Sequence, residues 1–158
     1  MPDGEPRRRR SDARRSGPVA FGPTPGPIGP PDPEGAMRAV GEALSALRRA
    51  RRPMTLASLE LEPPADEGDL VQLAELVRAQ VRDSDGLWRD GPLALLILLT
   101  DADGPSADVP LGRIRRSLRG EGYDEALLGR ASPPPGIDLI GLMELLRDDA
   151  RPLGPEGA

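Results

Sequence analysis

The sequence predicts an α/β (α+β) domain in which a mixed β-sheet is flanked by helices in the ferredoxin-like manner. Three observations predict it. Segments with strand character alternate with segments whose apolar residues recur at helical spacing. Asp90-Gly91 between two apolar runs signals one internal hairpin. The run Leu93 to Leu99 is continuously apolar, too short to span a bilayer and suited to a buried strand.

The elements follow in order. Met37, Val40, Leu44 and Leu47 recur at helical spacing, and Arg48, Arg49, Arg51 and Arg52 crowd the helix end, where the dipole favours cations. Pro53 stops that helix. Met54 to Glu62 alternates and reads as the first strand, with a phase change near Ala57. Pro63-Pro64 ends it, and Asp66 or Asp69 can cap a second helix running to about Arg82 on Leu70, Leu73, Ala74, Leu76, Val77 and Val81. A short strand at Leu87 to Arg89 turns at Asp90-Gly91 into the strand Leu93–Leu99. Asp101 to Asp108 is expected to be a loop, and Leu111, Ile114, Arg115 and Leu118 mark a third helix ending at Gly120. Ala126–Ala131 reads as a strand, Pro133 to Gly136 as a rigid loop, and Ile137–Asp149 as the last helix. With only Trp88 and Tyr123 as aromatics in this part, the core must be aliphatic.

Composition narrows the chemistry. The chain has 158 residues, a net charge of −5, no cysteine and no histidine. Disulfides, thiolate metal sites, imidazole bases and imidazole ligands are therefore all excluded. Every basic residue is arginine, as GC-rich codon usage produces. The net charge of −5 argues against a surface that coats nucleic acid. Six arginines within Met1–Arg15, however, face only Asp3, Glu5 and Asp12, which leaves about −8 on the remainder and a basic tail. Such a tail could touch nucleic acid or anionic lipid, although a run of this kind is more commonly just solvated. Residues 1–34 are rich in Arg, Pro and Gly and are expected to form a disordered, solvated tail; 35–150 form the domain and 151–158 a second disordered tail. No segment is apolar enough to span a membrane, and the arginine cluster Arg7–Arg10 leads into Gly and Pro, not into the apolar core of an export signal. The expected location is the cytoplasm.

Several residues then line up at fixed spacing. Gly68-Asp69 precedes a helix, which is followed by Arg82-Asp83-Ser84-Asp85, three residues, Arg89, Asp90 and the hairpin Gly91-Pro92-Leu93-Ala94-Leu95. This run, together with RRARRP-MTLASLELE before it and ALLGRASPPPGIDLIGLMELLRDDA after it, resembles a shortened and degenerate GGDEF domain of the diguanylate cyclases, a nucleotidyl-cyclase-type fold. The resemblance implies that the hairpin would approach the phosphates of GTP. It also implies that an acidic hairpin residue and a first-strand aspartate would together hold the metal. Here Leu93 and Ala94 stand where the acids would be, and Pro92 replaces a glycine and removes an N–H. Glu60 and Glu62 match the two aspartates at the strand end but are one methylene longer. The segment that would surround guanine is reduced to Pro63–Glu67. The expectation is therefore no cyclase activity, no catalytic residue, no resident metal and no cofactor.

What the resemblance retains is Arg82-x-x-Asp85, the family's inhibitory site for cyclic di-GMP. A guanidinium fork suits phosphate or a guanine edge, and a carboxylate accepts from guanine N–H groups. Set against this, Arg82 and Asp85 can equally be a helix-end ion pair and a turn residue. Trp88 could stack on a purine, although an aromatic beside a short strand more commonly packs in the core. Asp101, Asp103, Ser106 and Asp108 lack the spacing and the terminal bidentate Glu of a calcium loop. The expected function is an inactive GGDEF-like regulatory module of bacterial signalling that acts on a protein partner or on itself. The alternative is a cyclic di-GMP receptor using Arg82 and Asp85.

Overall fold

The computed structural model describes residues 28–154. The disorder expected for 1–27 and 155–158 falls outside the described residues. Helix α1 (Pro33–Arg49) leads into strand β1 (Met54–Glu60), helix α2 (Glu67–Arg78), and the hairpin of β2 (Gly86–Gly91) and β3 (Ala94–Thr100). Helix α3 (Gly104–Gly120), strand β4 (Leu127–Ala131), helix α4 (Leu139–Asp149) and a short β5 (Arg151–Pro152) complete it.

The sheet order is β2-β3-β1-β4-β5. Every pair is antiparallel, which corrects the expected mixed sheet. The reason lies in the connections. The crossover through α2 makes β1 and β2 run in the same direction, but β3 returns between them, so no two parallel strands touch.

Helices cover both faces. Ala57 and Leu59 of β1, Leu87 of β2, and Leu95, Ile97 and Leu99 of β3 pack against Leu70, Leu73 and Val77 of α2 and Leu111, Ile114 and Leu118 of α3. The other face sets Met54, Leu56, Leu96 and Leu98 against Val40, Leu44 and Leu47 of α1 and Leu142 and Leu146 of α4. Strand β3 is thus apolar at consecutive positions because both of its faces are buried. The same explanation replaces the phase change expected at Ala57. The strand alternates throughout, with Leu56 facing α1 and Ala57 and Leu59 facing α2. Each fully buried leucine contributes about 1.5–3 kcal/mol relative to its exposed state, so these two aliphatic layers dominate stability.

Several boundaries differ from expectation, and α2 ends at Arg78 instead of near Arg82. The turn between β2 and β3 is Pro92-Leu93, not Asp90-Gly91, because a bulge between Arg89 and Gly91 shifts the register. The loop expected at 101–108 is mostly the start of α3. Pro105 falls in the first helical turn, where a missing N–H costs nothing, and Asp103 and Ser106 form a reciprocal cap. At the C-terminus, β5 pairs with β4 and Leu153 is buried, so the packed chain continues past residue 150. At the other end it begins before residue 35. Ile28 packs on the core, and Asp32 caps α1 by accepting from Gly35 N at 3.0 Å.

Candidate functional site

Two places carry the sequence-derived site residues, one at the exit of β1 beside the hairpin and one at the far end of β3.

At the first place, β1 delivers Glu60 directly opposite Ala94 in the β1–β3 register. The next backbone N–H, of Leu61, donates to Leu93 O at 2.8 Å. The strand end and the hairpin are therefore brought together, but the hairpin contributes a methyl group from Ala94 and the half-buried apolar side chain of Leu93. Glu60 is exposed; Glu62, also exposed, lies past the strand end. Among the described residues no group of three acidic side chains could hold a metal ion. Gly68-Asp69 serves helix α2. The Asp69 N–H donates to Asp66 Oδ1 at 3.0 Å, and the Asp66 N–H donates to Asp69 Oδ2 at 2.9 Å.

The hairpin tip is held by Arg89, which enters the sequence pattern only through its spacing. The Arg89 side chain is 4 % exposed. Its Nε donates to Gly91 O at 3.3 Å and one terminal nitrogen donates to Pro92 O at 3.0 Å. The other terminal nitrogen donates to Gly29 O at 3.1 Å and to Glu67 Oε2 at 3.0 Å. The planar fork thus ties the hairpin turn, the N-terminal segment and the start of α2 together. A signal for this was present in the sequence. Arg89 lies two residues after Leu87 and so shares its inward face, where a charge must be paired. Neighbouring Asp90 is half-buried, and loss of solvation pushes its carboxyl above the usual range.

At the second place, Arg82 and Asp85 do come together, but mainly to close the chain on itself. The Asp85 side chain is 2 % exposed and stands 3.7 Å from Arg82 Nε. Asp85 Oδ2 accepts from the Arg82 backbone N–H at 2.8 Å. Its Oδ1 accepts from Thr100 N at 2.9 Å and from Thr100 Oγ1 at 3.2 Å. The Arg82 side chain is 61 % exposed, and its guanidinium donates to Thr100 O. A turn carboxylate thereby satisfies the last backbone groups of β3, leaving Arg82 as the outward-facing member of the pair.

The remaining candidates are structural. Trp88 packs against the α1/α4 core, and a Cβ on Gly86 would lie 2.3 Å from its ring, so glycine is needed at that position. Asp101 forms a two-point ion pair with Arg52, which holds its carboxyl below the usual range; Asp108 pairs with Arg130.

Neither a family model nor a curated protein matches the sequence, but solved structures do match the fold. The fold is that of the GGDEF domain. A DGC protein from Thermotoga maritima superposes with a TM-score of 0.68 at 15 % identity, over 78 % of this chain and 98 % of that one. The GGDEF domain of DgcB from Caulobacter crescentus, solved with c-di-GMP, gives 0.65 at 14 % identity over 79 % and 85 %. The diguanylate cyclase SiaD from Pseudomonas aeruginosa, solved with its activator SiaC, gives 0.63 at 18 % identity over 93 % of this chain and 63 % of that one.

Proposed function

We propose that this chain is a GGDEF-like module without cyclase chemistry, acting in bacterial signalling through contacts with protein. The observation that carries this reading is the Glu60–Ala94 pairing. The backbone sets the strand end against the hairpin as a shared metal site would require, while the side chains there offer one carboxylate and a methyl. Divalent ions on a triphosphate need several oxygen ligands at close range. Pro92 supplies no N–H to a phosphate, and the Arg89 guanidinium is already committed to four protein acceptors. What the chain retains is a well-packed frame of helices whose outer surfaces are open to partners, and SiaD bound to SiaC is a structure of this fold meeting another protein.

The dinucleotide alternative draws its support from the exposed Arg82 fork, and it is weakened by Asp85, whose oxygens are spent inside the chain. Incubating the full chain with GTP and either Mg²⁺ or Mn²⁺ tests the main reading. No dinucleotide product is expected, and measurable product would overturn it. Calorimetry with cyclic di-GMP tests the alternative, for which the expected result is no heat.

A further inference from the structure

Helix α1 presents an unusual ridge to solvent. Its core side carries Ala36, Val40, Ala43, Leu44 and Leu47. The opposite side therefore carries Glu34, Arg38, Gly41, Ser45 and Arg49, with Glu42 beside them, all exposed except the half-buried Gly41. Among the described residues, Glu34, Arg38, Glu42 and Arg49 make no ion pair. A shallow groove runs along the ridge, lined by Met37, Gly41, Ser45 and Leu139. Beyond Leu139 stands Ile140, 71 % exposed and, among the described residues, the most exposed large apolar side chain.

Gly41 is not required by the interior. A Cβ there would meet only Leu139 Cδ2 at 3.7 Å, an ordinary contact. A mid-helix glycine lowers helix propensity, so an empty position on the solvent side favours the close approach of something outside the chain. The charges indicate what. Glu34 stands at the start of the ridge and Arg49 at its end, so these two ends are complementary when two such helices lie antiparallel. The two Glu42 side chains then flank the axis.

We propose that the α1/α4 face is an isologous docking surface for a second copy of this chain. The two-fold axis passes near Gly41 and Glu42, so that Glu34 meets Arg49 of the partner subunit and the same pair recurs at the other end. Arg38 lies across from Ser45 of the partner subunit, the two glycines allow close approach, and the antiparallel helix dipoles add to the fit. Met37, Leu139 and Ile140 supply the apolar contact at the flank. This inference rests on the protein-contact reading above and names its surface and partner. Glu34 in the first turn and Arg49 in the last also suit the dipole of an isolated helix, so the test reverses charges instead of deleting them.

Sedimentation velocity of the full chain, from micromolar to near-millimolar concentration, is the experiment. A concentration-dependent dimer that weakens with salt is expected. Glu34→Arg and Arg49→Glu should each weaken it at least tenfold, while circular dichroism shows both variants folded. Mixed in equal amounts, the two variants should associate again, because both contacts of the mixed dimer then join opposite charges. Gly41→Gln should abolish association by bulk alone. A chain that stays monomeric throughout, a dimer indifferent to these changes, or mixing without rescue would each overturn the proposal. An indifferent dimer leaves the protein-contact reading standing, whereas GTP turnover would remove that reading whatever the dimer does.

Discussion

The hairpin end and the Arg82–Asp85 end differ in what the structure does with the residues that the sequence resemblance singles out. At the hairpin the backbone brings the strand end and the turn together, and the side chains that meet there are a carboxylate and a methyl group. Glu60 still faces the hairpin strand, yet its partner there is Ala94. At the other end an arginine and a carboxylate do meet, but their surroundings turn the carboxylate inward. Asp85 closes the turn after α2 onto Thr100 and leaves little of its carboxylate to solvent. The lesson is that a motif and a site are different things. The first end has close backbone geometry with few polar side chains, and the second has both motif residues with one of them buried.

Substitutions separate the two ends by their effects on stability. The largest effect is expected for Asp85→Ala, which strands the N–H groups of Arg82 and Thr100 and should cost about 3 kcal/mol. Chemical denaturation measures it; a loss below about 1 kcal/mol would mean that Asp85 is a surface residue available to ligand. Arg89→Ala comes next, at about 2 kcal/mol, since three backbone carbonyls and Glu67 lose a buried donor. Amide exchange should accelerate at the hairpin and near residue 29 together, and acceleration at only one would contradict the role of Arg89 in tying them. Arg82→Ala should cost less than about 1 kcal/mol, as its side chain is largely exposed.

The smallest effect concerns Asp90. Burial raises its folded pKa above the unfolded value, so the folded state holds its proton more tightly and loses stability as pH rises through that pKa. Asp90→Asn should therefore raise the melting temperature slightly at neutral pH, with the gain vanishing in acid below both pKa values. A gain that persists undiminished in acid would show that desolvation of the carboxylate is not its cause.

Much of the frame was legible in the sequence. Periodic leucines marked α1, α2 and α3, and the unbroken run ending at Leu99 marked a strand buried on both faces. The start of α3 was less legible, because Gly104, Pro105 and Pro110 look like breakers until Asp103 is seen to cap the helix and Pro105 to occupy its first turn. Arg151–Leu153 lacks any local signal, since its ordering comes from pairing with Leu127 and Leu128 and from burying Leu153. At the site, spacing along the chain located the hairpin but not the direction of each side chain. That Asp85 points inward depends on where β3 ends, a long-range fact no local pattern contains.

The proposed absence of cyclase activity requires that the β1 exit and hairpin fail to hold a divalent ion against a triphosphate. Titrating GTP into the full chain with Mn²⁺ present, and again with chelator, measures this directly. The expected result is the same absence of binding heat in both. Heat that depends on Mn²⁺ and disappears in Glu60→Gln would contradict it, by showing that one strand-end carboxylate opposite Ala94 suffices.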